Sequence, residues 1–551
     1  MLPEDEIRSQ SVSDHIDVQG RLLTGRMSRL DIADFVKSAG AERPTQQIRV
    51  RIWRNYAVEP METWFKATGI FWGLNYEFAY MGYDDSLSFL DYVDDQEASC
   101  EVLMVDSMHY TMDRDDFLQW ISDREKYLSA ISGNPVVSVV LDDKVSIRSH
   151  SEIVSVHTEA DGNPLFDNRY EKSTGSRLRP ETHALIAREL SCTWVASCFV
   201  PPKKLIVADL DYTLHEGVLG EGIDKIFVGD DHKFLQEELL AAKSRGFMLS
   251  FLSKNDVEDV RNLLRNPNDY RIDESDLVAI EASWEPKIEG MRRILELTRI
   301  NQDAVIFVDD NPVELIQMKS AYPRMSVVNA SDGPRTAAEV LMRVPGFLRR
   351  EHDDLADIRI SDLKSNEERD TIIRDGLQTY YLTASPSLQI GLSRTSDLER
   401  LVDLGKRSNQ FNLVLARAGL DAYLNGQSAY VSLALSDRFS DSGVIGGIVL
   451  SGEDGDGACN IVDLFLSCRV LGRGLETTLI CSGISAAMKH LGACNVRIPW
   501  IVSERNEPAL TWLGNTFLDR VPESAGLVTV SLEEIESLSV PPEGVRCEIN
   551  E

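Results

Sequence analysis

The chain has 551 residues, of which 57 are Lys or Arg and 89 are Asp or Glu, so its formal net charge at pH 7 is −32. With 43% hydrophobic and 26% charged residues, the composition is that of a folded protein and excludes the disordered and fibrous classes. At roughly 150 residues per domain, the length predicts three or four domains. The negative charge disfavours nucleic acid and membrane surfaces as partners, because both are anionic.

The sequence predicts neither export nor a membrane span. The opening segment, MLPEDEIRSQ, is charged and lacks the apolar core of a secretory signal, so we expect a cytoplasmic protein. The most apolar stretch, residues 183–200, contains Arg188 and Glu189 and is not expected to span a membrane. The eight cysteines show no CxxC spacing, which indicates neither a zinc site nor a disulfide framework.

The first 195 residues are expected to form a small helical segment followed by an α/β domain. Residues 1–45 are predicted as one short helix, at MSRLDIADFVKSA, and a linker. From 46 to 195, the strands IRVRIW, EFAYMGY, VLMVDSM and VVSVVL alternate with helices, which predicts a mainly parallel sheet. Asp106 and His109, near a strand end, are the site candidates of this domain, although both are interpreted as surface residues.

Residues 196–335 show the same alternation, and three apolar strands end on polar residues. These strands are LIVADLD (205–211), FMLSFLSKN (247–255) and AVIFVDDN (304–311). The helical segments FLQEELLAAKSRG and KIEGMRRILELT join them. The pattern predicts a doubly wound parallel sheet whose strand ends converge on one edge.

The remaining chain is predicted as a connector, a third α/β unit and a tail. Residues 336–387 are charged and read as a helical connector, and residues 526–551 as a frayed tail. Within 388–525 we expect a helix at DLERLVDLGKRS, strands at YVSLALSD, VIGGIVL and CNIVDLFLSCRV, and a helix that opens at Gly474.

The strand ends of the second domain carry a candidate phosphoryl-transfer site. Asp209 and Asp211 face the same side as the chain leaves its strand, with Thr213 following. Two carboxylates this close need a cation or a proton between them. Mg²⁺ would serve, and Asp309 and Asp310 would complete a set of hard oxygen ligands. Solvated carboxylates at strand ends are the alternative for any one of these motifs.

Further polar residues in this domain suit a phosphoryl group. Ser253, with Lys254 and Asn255 directly after it, and Lys287 are the substrate-binding candidates. Together with the aspartates they fit transfer through an aspartyl-phosphate. The crossover helices use most of the chain between the motifs, so little is left for a lid, and the site then admits a bulky or protein-borne substrate or is covered by a neighbouring domain.

This ordered set resembles the haloacid dehalogenase (HAD) superfamily. The resemblance implies that Asp209 is the nucleophile and Asp211 the general acid/base. It implies that Ser253 and Lys287 bind phosphate and that Asp209 and Asp309 hold Mg²⁺. Asp310 and Asp211 are the further candidate ligands.

A second candidate site lies in the third unit, where a strand runs into Arg469, Gly472, Arg473 and Gly474 before a helix. Such a turn points backbone N–H groups and the helix dipole at an anion, as the phosphate of a pantetheine requires. It resembles the cofactor loop of GNAT acyltransferases. A thiolate at Cys468 would be favoured by the neighbouring cations and could accept an acyl group, although a buried structural cysteine is an equal alternative.

Asn409 and Asn412 belong to the segment KRSNQFN, just upstream of the strands of the third unit. They are candidates for docking an acidic carrier protein or for lining an acyl pocket. A polar turn that ends a helix explains them equally well.

Seven segments taken together resemble the FkbH-like family, in which a HAD-type domain is fused to a GNAT-like domain. They are DLDYTLHEGVLGEG, SKND, SWEPK, FVDDNPVE, SNQFN, LSDRFSDSGVIG and LSCRVLGRGLE. Residues 46–195 loosely resemble the degenerate SGNH-hydrolase-like domain of that family. The fold class expected is therefore multidomain α/β: SGNH-like, then HAD-like, then GNAT-like.

The resemblance implies an acyl-loading enzyme. It would take the glyceryl unit of 1,3-bisphosphoglycerate, remove phosphate with Mg²⁺, and load glycerate as a thioester onto the phosphopantetheine of an acyl carrier protein for polyketide-type biosynthesis. The chain departs from the family pattern at Tyr212, His215 and Glu216, and its turn at 220–222 is one residue shorter. A phosphatase acting on another small phosphorylated acid and a non-catalytic carrier-protein scaffold are the alternatives.

Overall fold

The computed structural model of the chain describes residues 4–42, 46–90, 92, 98–142, 145–149, 152–156, 165–265, 269–348, 369, 371–408, 410–416, 419, 423, 428–452, 457–467, 470–503 and 506–550. The chain divides into two compact units, one of residues 1–291 and 302–353, the other of residues 292–301 and 354–551. In the described ranges, none of the helices combines the length and the apolar character needed to cross a membrane.

The amino-terminal part of the first unit is a layered α/β domain. Its elements are α1 (Glu4–Leu23), α2 (Arg29–Glu42), β1 (Gln46–Arg54), α3 (Glu62–Phe71), β2 (Leu74–Tyr83), β3 (Cys100–Asp106), α4 (Arg114–Ser132), β4 (Val136–Leu141), β5 (Val145–Ser149), β6 (Glu152–Val156), α5 (Asn168–Thr174) and α6 (Pro180–Glu189). The sheet order is β2-β1-β3-β4-β5-β6. Strands β1 to β4 are parallel, and β5 and β6 add an antiparallel hairpin.

Burial explains why these segments form strands. Every residue of β3 and of β4 is buried, as expected for strands that are covered on both faces. The predicted mainly parallel α/β domain is therefore confirmed for this region. Its likeness to SGNH hydrolases stays a prediction.

The second part of the first unit is a five-stranded sheet. Its elements are β7 (Leu205–Ala208), α7 (Asp230–Ser244), β8 (Met248–Ser253), α8 (Val257–Arg265), β9 (Leu277–Ala282), α9 (Lys287–Thr298), β10 (Val305–Asp309), α10 (Pro312–Ala321), β11 (Ser326–Asn329) and α11 (Pro334–Leu341). Helix α9 begins in this unit, and its residues from 292 on belong to the second unit. All strands are parallel, in the order β11-β10-β7-β8-β9. This confirms the predicted doubly wound sheet, to which the structure adds β9 and β11. The strand order reverses between β7 and β10, and a crevice forms outside the carboxyl ends of strands at such a point.

Helix α1 connects the two sheets of this unit. The sequence predicted one short helix in residues 1–45, whereas the structure has two. The buried Gln19 side chain donates to the backbone oxygen of Val327 at 2.8 Å and accepts from the backbone nitrogen of Asn329 at 2.8 Å, both in β11. Four residues earlier, His15 stacks on Phe71 of α3 with ring centroids 3.9 Å apart. Helix α1 is thus fixed at both domains.

The second unit is built on a mixed sheet. Its elements are α12 (Leu377–Ala384), β12 (Ser387–Leu392), α13 (Leu398–Arg407), β13 (Phe411–Asn412), β14 (Ser428–Ser436), β15 (Asp441–Ser451), β16 (Ala458–Leu466), α14 (Glu476–Leu491), β17 (Asn495–Trp500), α15 (Glu507–Leu513), β18 (Gly526–Ser531), α16 (Leu532–Leu538) and β19 (Arg546–Asn550). The order is β18-β17-β16-β15-β14-β12-β19, with β13 paired to β16. The predicted helix at 397–408 and the three predicted strands are found, as α13, β14, β15 and β16.

The carboxyl-terminal residues are part of this fold. They were predicted as a frayed tail, but β19 pairs in parallel with β12, β18 pairs with β17, and Ile535 of α16 is fully buried. The prediction of a tail is therefore wrong for the described residues of 526–550.

Candidate active site

Three side chains meet at the carboxyl edge of the five-stranded sheet, where its strand order reverses. Asp209 directly follows β7, Asp309 ends the neighbouring strand β10, and Lys287 begins α9. The ammonium of Lys287 lies 3.0 Å from Asp209 Oδ1 and 2.6 Å from Asp309 Oδ2. All three are buried. The predicted convergence of these residues is thus observed.

Ser253 and Asn255 complete the floor of the site. Ser253 ends β8, the strand on the other side of β7, and its side chain is buried. The amide of Asn255 donates to Ser253 Oγ at 2.9 Å and to Asp211 Oδ2 at 3.1 Å. Asp211 also accepts from the backbone nitrogen of Leu219 at 3.0 Å. Asn255 therefore positions Asp211 relative to the serine.

Two further predicted substrate-binding residues pair with acidic side chains. Thr213 is fully buried, and its hydroxyl donates to Asp310 Oδ1 at 3.5 Å. Lys254 forms an ion pair with Glu314 in the first turn of α10. Sequence reasoning missed Glu314, since one acidic residue at a helix start is ordinary and nothing in the sequence shows that Lys254 reaches it.

The carboxylates of the site resist ionisation. Burial raises the pKa of Asp209, against the attraction of Lys287. Burial and the charge of Asp209 raise the pKa of Asp309 to about 7 and that of Asp310 to about 6. Burial opposes the charge on Lys287, but Asp209 and Asp309 outweigh it and raise the pKa of the ammonium. One cation thus faces three carboxylates, so full ionisation of the site would leave surplus negative charge that needs a second cation.

This surplus fits a divalent metal ion. Among the described residues, one oxygen each of Asp209, Asp309 and Asp310 lie within 4.8 Å of one another, and Asp211 does not belong to this group. Carboxylate oxygens are the ligands that Mg²⁺ prefers, and the ion commonly binds one or two of them together with substrate phosphate. The donor set therefore suits Mg²⁺.

His215 lies beside the second aspartate of the motif. Its ring is fully buried, and its Nε2 is 3.6 Å from Asp211 Oδ1. Burial lowers the pKa of the imidazole, against the attraction of Asp211. Neither ring nitrogen has a hydrogen-bond partner within the described part of the chain. The sequence showed His215 only as a departure from a family pattern.

The turn predicted to bind pantetheine is partly engaged by the protein itself. Cys468 and Arg469 lie outside the described residues. The backbone nitrogen of Gly472 donates to Glu476 Oε1 at 2.5 Å, so a carboxylate already takes one of the amides proposed for an anion. Gly474 accepts, through its carbonyl, a hydrogen bond from the hydroxyl of Tyr381 at 2.9 Å.

Arg473 has a structural environment. Its side chain is buried, with Nη1 3.4 Å from Asp437 Oδ2. Asp437 also accepts from Arg369 Nε at 2.7 Å and from the hydroxyl of Tyr380 at 2.9 Å. The guanidinium of Arg473 therefore points into the second unit, which argues against its predicted contact with a bound cofactor.

Asn412 likewise serves the fold, and Asn409 lies outside the described residues. The Asn412 side chain is buried, accepts from the backbone nitrogen of Leu415 at 2.7 Å and donates to the carbonyl of Ser408 at 3.5 Å. Next to it, the backbone nitrogen of Leu413 donates to Leu464 of β16 at 3.1 Å, and its carbonyl accepts from Ile501 at 2.9 Å. This segment thus lies between the ends of β16 and β17, and the predicted role of Asn412 in ligand binding has no support there.

In the amino-terminal domain, Asp106 differs from its interpretation as a surface residue. It ends β3, is buried, and accepts from Arg177 Nε at 2.9 Å. Its other oxygen accepts from the backbone nitrogen of Met108 at 3.0 Å. His109 has its Nδ1 3.6 Å from Asp85 Oδ1 and is partly exposed. Asp106 is therefore part of a buried ion pair.

No protein-family model matches the chain, and no curated protein matches it. Among solved structures, it is similar to the N-terminal part of the protein BF1531 from Bacteroides fragilis, which contains a phosphatase domain and is complexed with Mg, with 17% identity over 58% of this chain and 99% of that chain and a TM-score of 0.45. It is also similar to a spermidine N-acetyltransferase from Vibrio cholerae, with 12% identity over 27% of this chain and 95% of that chain and a TM-score of 0.20. A third similar structure is that of GCN5 from Tetrahymena, with 10% identity over 26% of this chain and 95% of that chain and a TM-score of 0.19.

Proposed function

We propose that the chain is a Mg²⁺-dependent phosphoryl-transfer enzyme of the HAD type, in which Asp209 is the nucleophile. The observation that carries the proposal is the buried group of Asp209, Lys287 and Asp309 at the point where the strand order reverses. A carboxylate held there beside a fixed cation has the placement that attack on a phosphorus atom requires.

The steps follow from the residues of the site. An oxygen of Asp209 attacks phosphorus, the bond from phosphorus to the ester oxygen breaks, and Asp211, as the general acid, gives a proton to the leaving oxygen. A water molecule then attacks the aspartyl-phosphate, Asp211 takes its proton, and phosphate leaves as the Asp209 carboxylate re-forms. Asn255 keeps Asp211 oriented for both transfers.

Fixed hydrogen-bond donors of the site stabilise the negative charge on the phosphoryl oxygens during the reaction. Lys287 directs its ammonium at Asp209 and Asp309, and an ammonium has three N–H groups, so a third serves a phosphoryl oxygen. The Ser253 hydroxyl is a second donor to the phosphoryl group. Mg²⁺, held by Asp209, Asp309 and Asp310, would supply further charge neutralisation on the phosphoryl oxygens. Because Lys287 is buried, little water weakens these interactions.

The direct test is turnover of p-nitrophenyl phosphate with Mg²⁺. We expect Asp209→Asn to abolish hydrolysis and the phosphorylated protein that mass spectrometry detects. Asp211→Asn should lower kcat by about 10²–10⁴-fold, the usual contribution of a general acid or base, and let phosphorylated protein accumulate. The matched control is Asp269→Asn, an exposed carboxylate of the same domain. Full activity in Asp209→Asn would refute the proposal.

We further propose a specific substrate and acceptor, on the strength of the motif resemblance. The substrate is the glyceryl unit of 1,3-bisphosphoglycerate, and the acceptor is the phosphopantetheine thiol of an acyl carrier protein. An acyl phosphate is already activated, so a thiol displaces it without ATP. The test is intact mass of a candidate carrier protein after reaction, with Cys468→Ala to ask whether that thiol carries the acyl group first. A carrier that gains no glyceryl mass would refute this part alone.

A second candidate function is phosphatase activity on a small phosphorylated acid without acyl transfer. It is favoured by the contact of Glu476 with Gly472 and by the burial of Arg473, which occupy the turn expected to bind the carrier. The second unit would then serve assembly. Hydrolysis that needs no carrier protein and is unchanged in Arg469→Ala would support it.

A further inference from the structure

Lys254 and Glu314 form an ion pair that joins the two chain segments on either side of the Asp209 strand. Lys254 directly follows β8, and Glu314 lies in the helix that follows β10. Strand β7, with Asp209 at its end, lies between those two strands. Neighbouring strands are about 4.8 Å apart, so the pair bridges loops that start about 10 Å from each other. The pair therefore spans the end of the strand that carries Asp209.

The two partners differ in exposure. The side chain of Lys254 is 45% exposed, whereas that of Glu314 is 8% exposed. An ammonium has three N–H groups, so Lys254 can donate to a second anion while it keeps its contact with the buried Glu314 carboxylate. Since Lys254 stands on a flexible stem, its exposed side can turn toward such an anion.

The two lysines near the site differ in burial and in their partners, and therefore in what they can bind. Lys287 is buried between Asp209 and Asp309, so it serves the nucleophile and the transferred phosphoryl group. Lys254 lies one residue beyond the buried Ser253, on the solvent side. A cation in that position faces the part of the substrate that is not transferred.

We propose that Lys254 selects substrates that carry a second anionic group besides the transferred phosphate. On binding, that group becomes a second partner of the Lys254 ammonium beside the Glu314 carboxylate. Glu314 holds the ammonium in place and, as a like charge, disfavours weakly bound anions. The inference rests on the proposed function, because it takes the Asp209 site as the place where the phosphate binds.

The experiment compares glycerol 3-phosphate with 3-phosphoglycerate, which share a three-carbon skeleton and differ by a carboxylate. With Mg²⁺, the wild-type chain should show a lower KM for 3-phosphoglycerate. Lys254→Met should raise the KM for 3-phosphoglycerate relative to that for glycerol 3-phosphate by about 10- to 100-fold, the range for a hydrogen bond to a charged group. Lys254→Arg should restore most of the preference, and Glu314→Gln should strengthen it by removing the carboxylate that repels the anion.

The control is Lys243→Met, which removes a lysine paired with Asp276 at 2.6 Å in the last turn of α7, at the opposite edge of the same sheet. It should leave the ratio of the two KM values unchanged. Equal changes of both KM values in Lys254→Met, or no preference in the wild-type chain, would overturn the inference.

Failure of the proposed function has a different outcome. It appears as absence of Asp209-dependent hydrolysis of either ester. In that event calorimetric binding of both esters to Asp209→Asn, with and without Lys254→Met, still decides the role of Lys254. A preference for 3-phosphoglycerate that disappears with the lysine supports the inference, and equal affinities overturn it.

Discussion

Replacing Lys287 with Met should destabilise the five-stranded sheet through the charges it leaves behind. The variant removes the ammonium that lies 3.0 Å from Asp209 and 2.6 Å from Asp309, whose side chains are 7% and 0% exposed. Taking one partner from a buried ion pair destabilises by about 3–5 kcal/mol, because the remaining charge is unpaired. At about 1.36 kcal/mol per factor of ten, local opening should become about a hundredfold to a few thousandfold more frequent.

The size of this effect should depend on pH. The pKa of Asp309 is about 7 in the folded chain against an ordinary value of 3.8. Between those values the unfolded chain loses a proton that the folded chain keeps, so this group makes the fold less stable as pH rises from about 4 to 7. Lys287 lowers the pKa of both Asp209 and Asp309. Removal of Lys287 therefore raises both pKa values and extends to higher pH the range in which Asp309 destabilises the fold. The loss of stability in Lys287→Met should be larger at pH 8 than at pH 5.

Hydrogen exchange of the amides in β7 and β10 measures this opening locally. Rates are corrected for intrinsic exchange and compared at the two pH values, and Mg²⁺ should offset part of the loss at pH 8. The control Lys243→Met removes an ion pair with Asp276 in which the lysine side chain is 29% exposed. The control should change the stability by no more than about 1 kcal/mol. A loss in Lys287→Met that is equally large at pH 5 and pH 8 would refute the electrostatic reasoning.

Three other predictions concern the interdomain helix, the metal and the second unit. Gln19→Leu should destabilise the β11 edge by about 2–4 kcal/mol in urea unfolding, because it leaves two buried backbone groups unpaired; a change below about 0.5 kcal/mol would contradict the bonds described. Because protons compete for Asp309 and Asp310, with pKa values of about 7 and 6, Mg²⁺ affinity measured by calorimetry should rise from pH 5 to pH 8, and a flat profile would oppose their role as ligands. Asp437→Asn should destabilise the second unit by about 3–5 kcal/mol in thermal unfolding, whereas a neutral effect would argue that Arg473 is available for ligands.

The sequence predicted the convergence of Asp209, Lys287 and Asp309 because the signals that place them are local. Asp209 and Asp309 each follow an apolar run that is buried on both faces, and the carboxyl ends of parallel strands share one edge. The convergence with Lys287 then follows from topology alone. Strand β9 was missed because it is only half buried, and β11 because four residues carry too little periodicity.

The second candidate site was harder to predict because its decisive contacts join distant residues. The pattern of glycines and arginines at 469–474 says nothing of Asp437, which lies far upstream and turns Arg473 inward. Acidic residues are common in the first turn of a helix, so Glu476 gives no warning in the sequence. In the structure its carboxylate accepts the hydrogen bond of the Gly472 amide. Neither contact has a periodic signature, so only the folded chain reveals them.

The position of Gln19 also bears on how the part of the chain with the five-stranded sheet can be isolated. Strand β11 is the outermost strand of its sheet, and unpaired strand edges invite pairing between molecules. The Gln19 amide substitutes there for a neighbouring strand. A fragment cut at 196, where the sequence places the domain boundary, would expose a bare β-edge and tend to aggregate, so we expect a fragment that retains helix α1 to be the more soluble one.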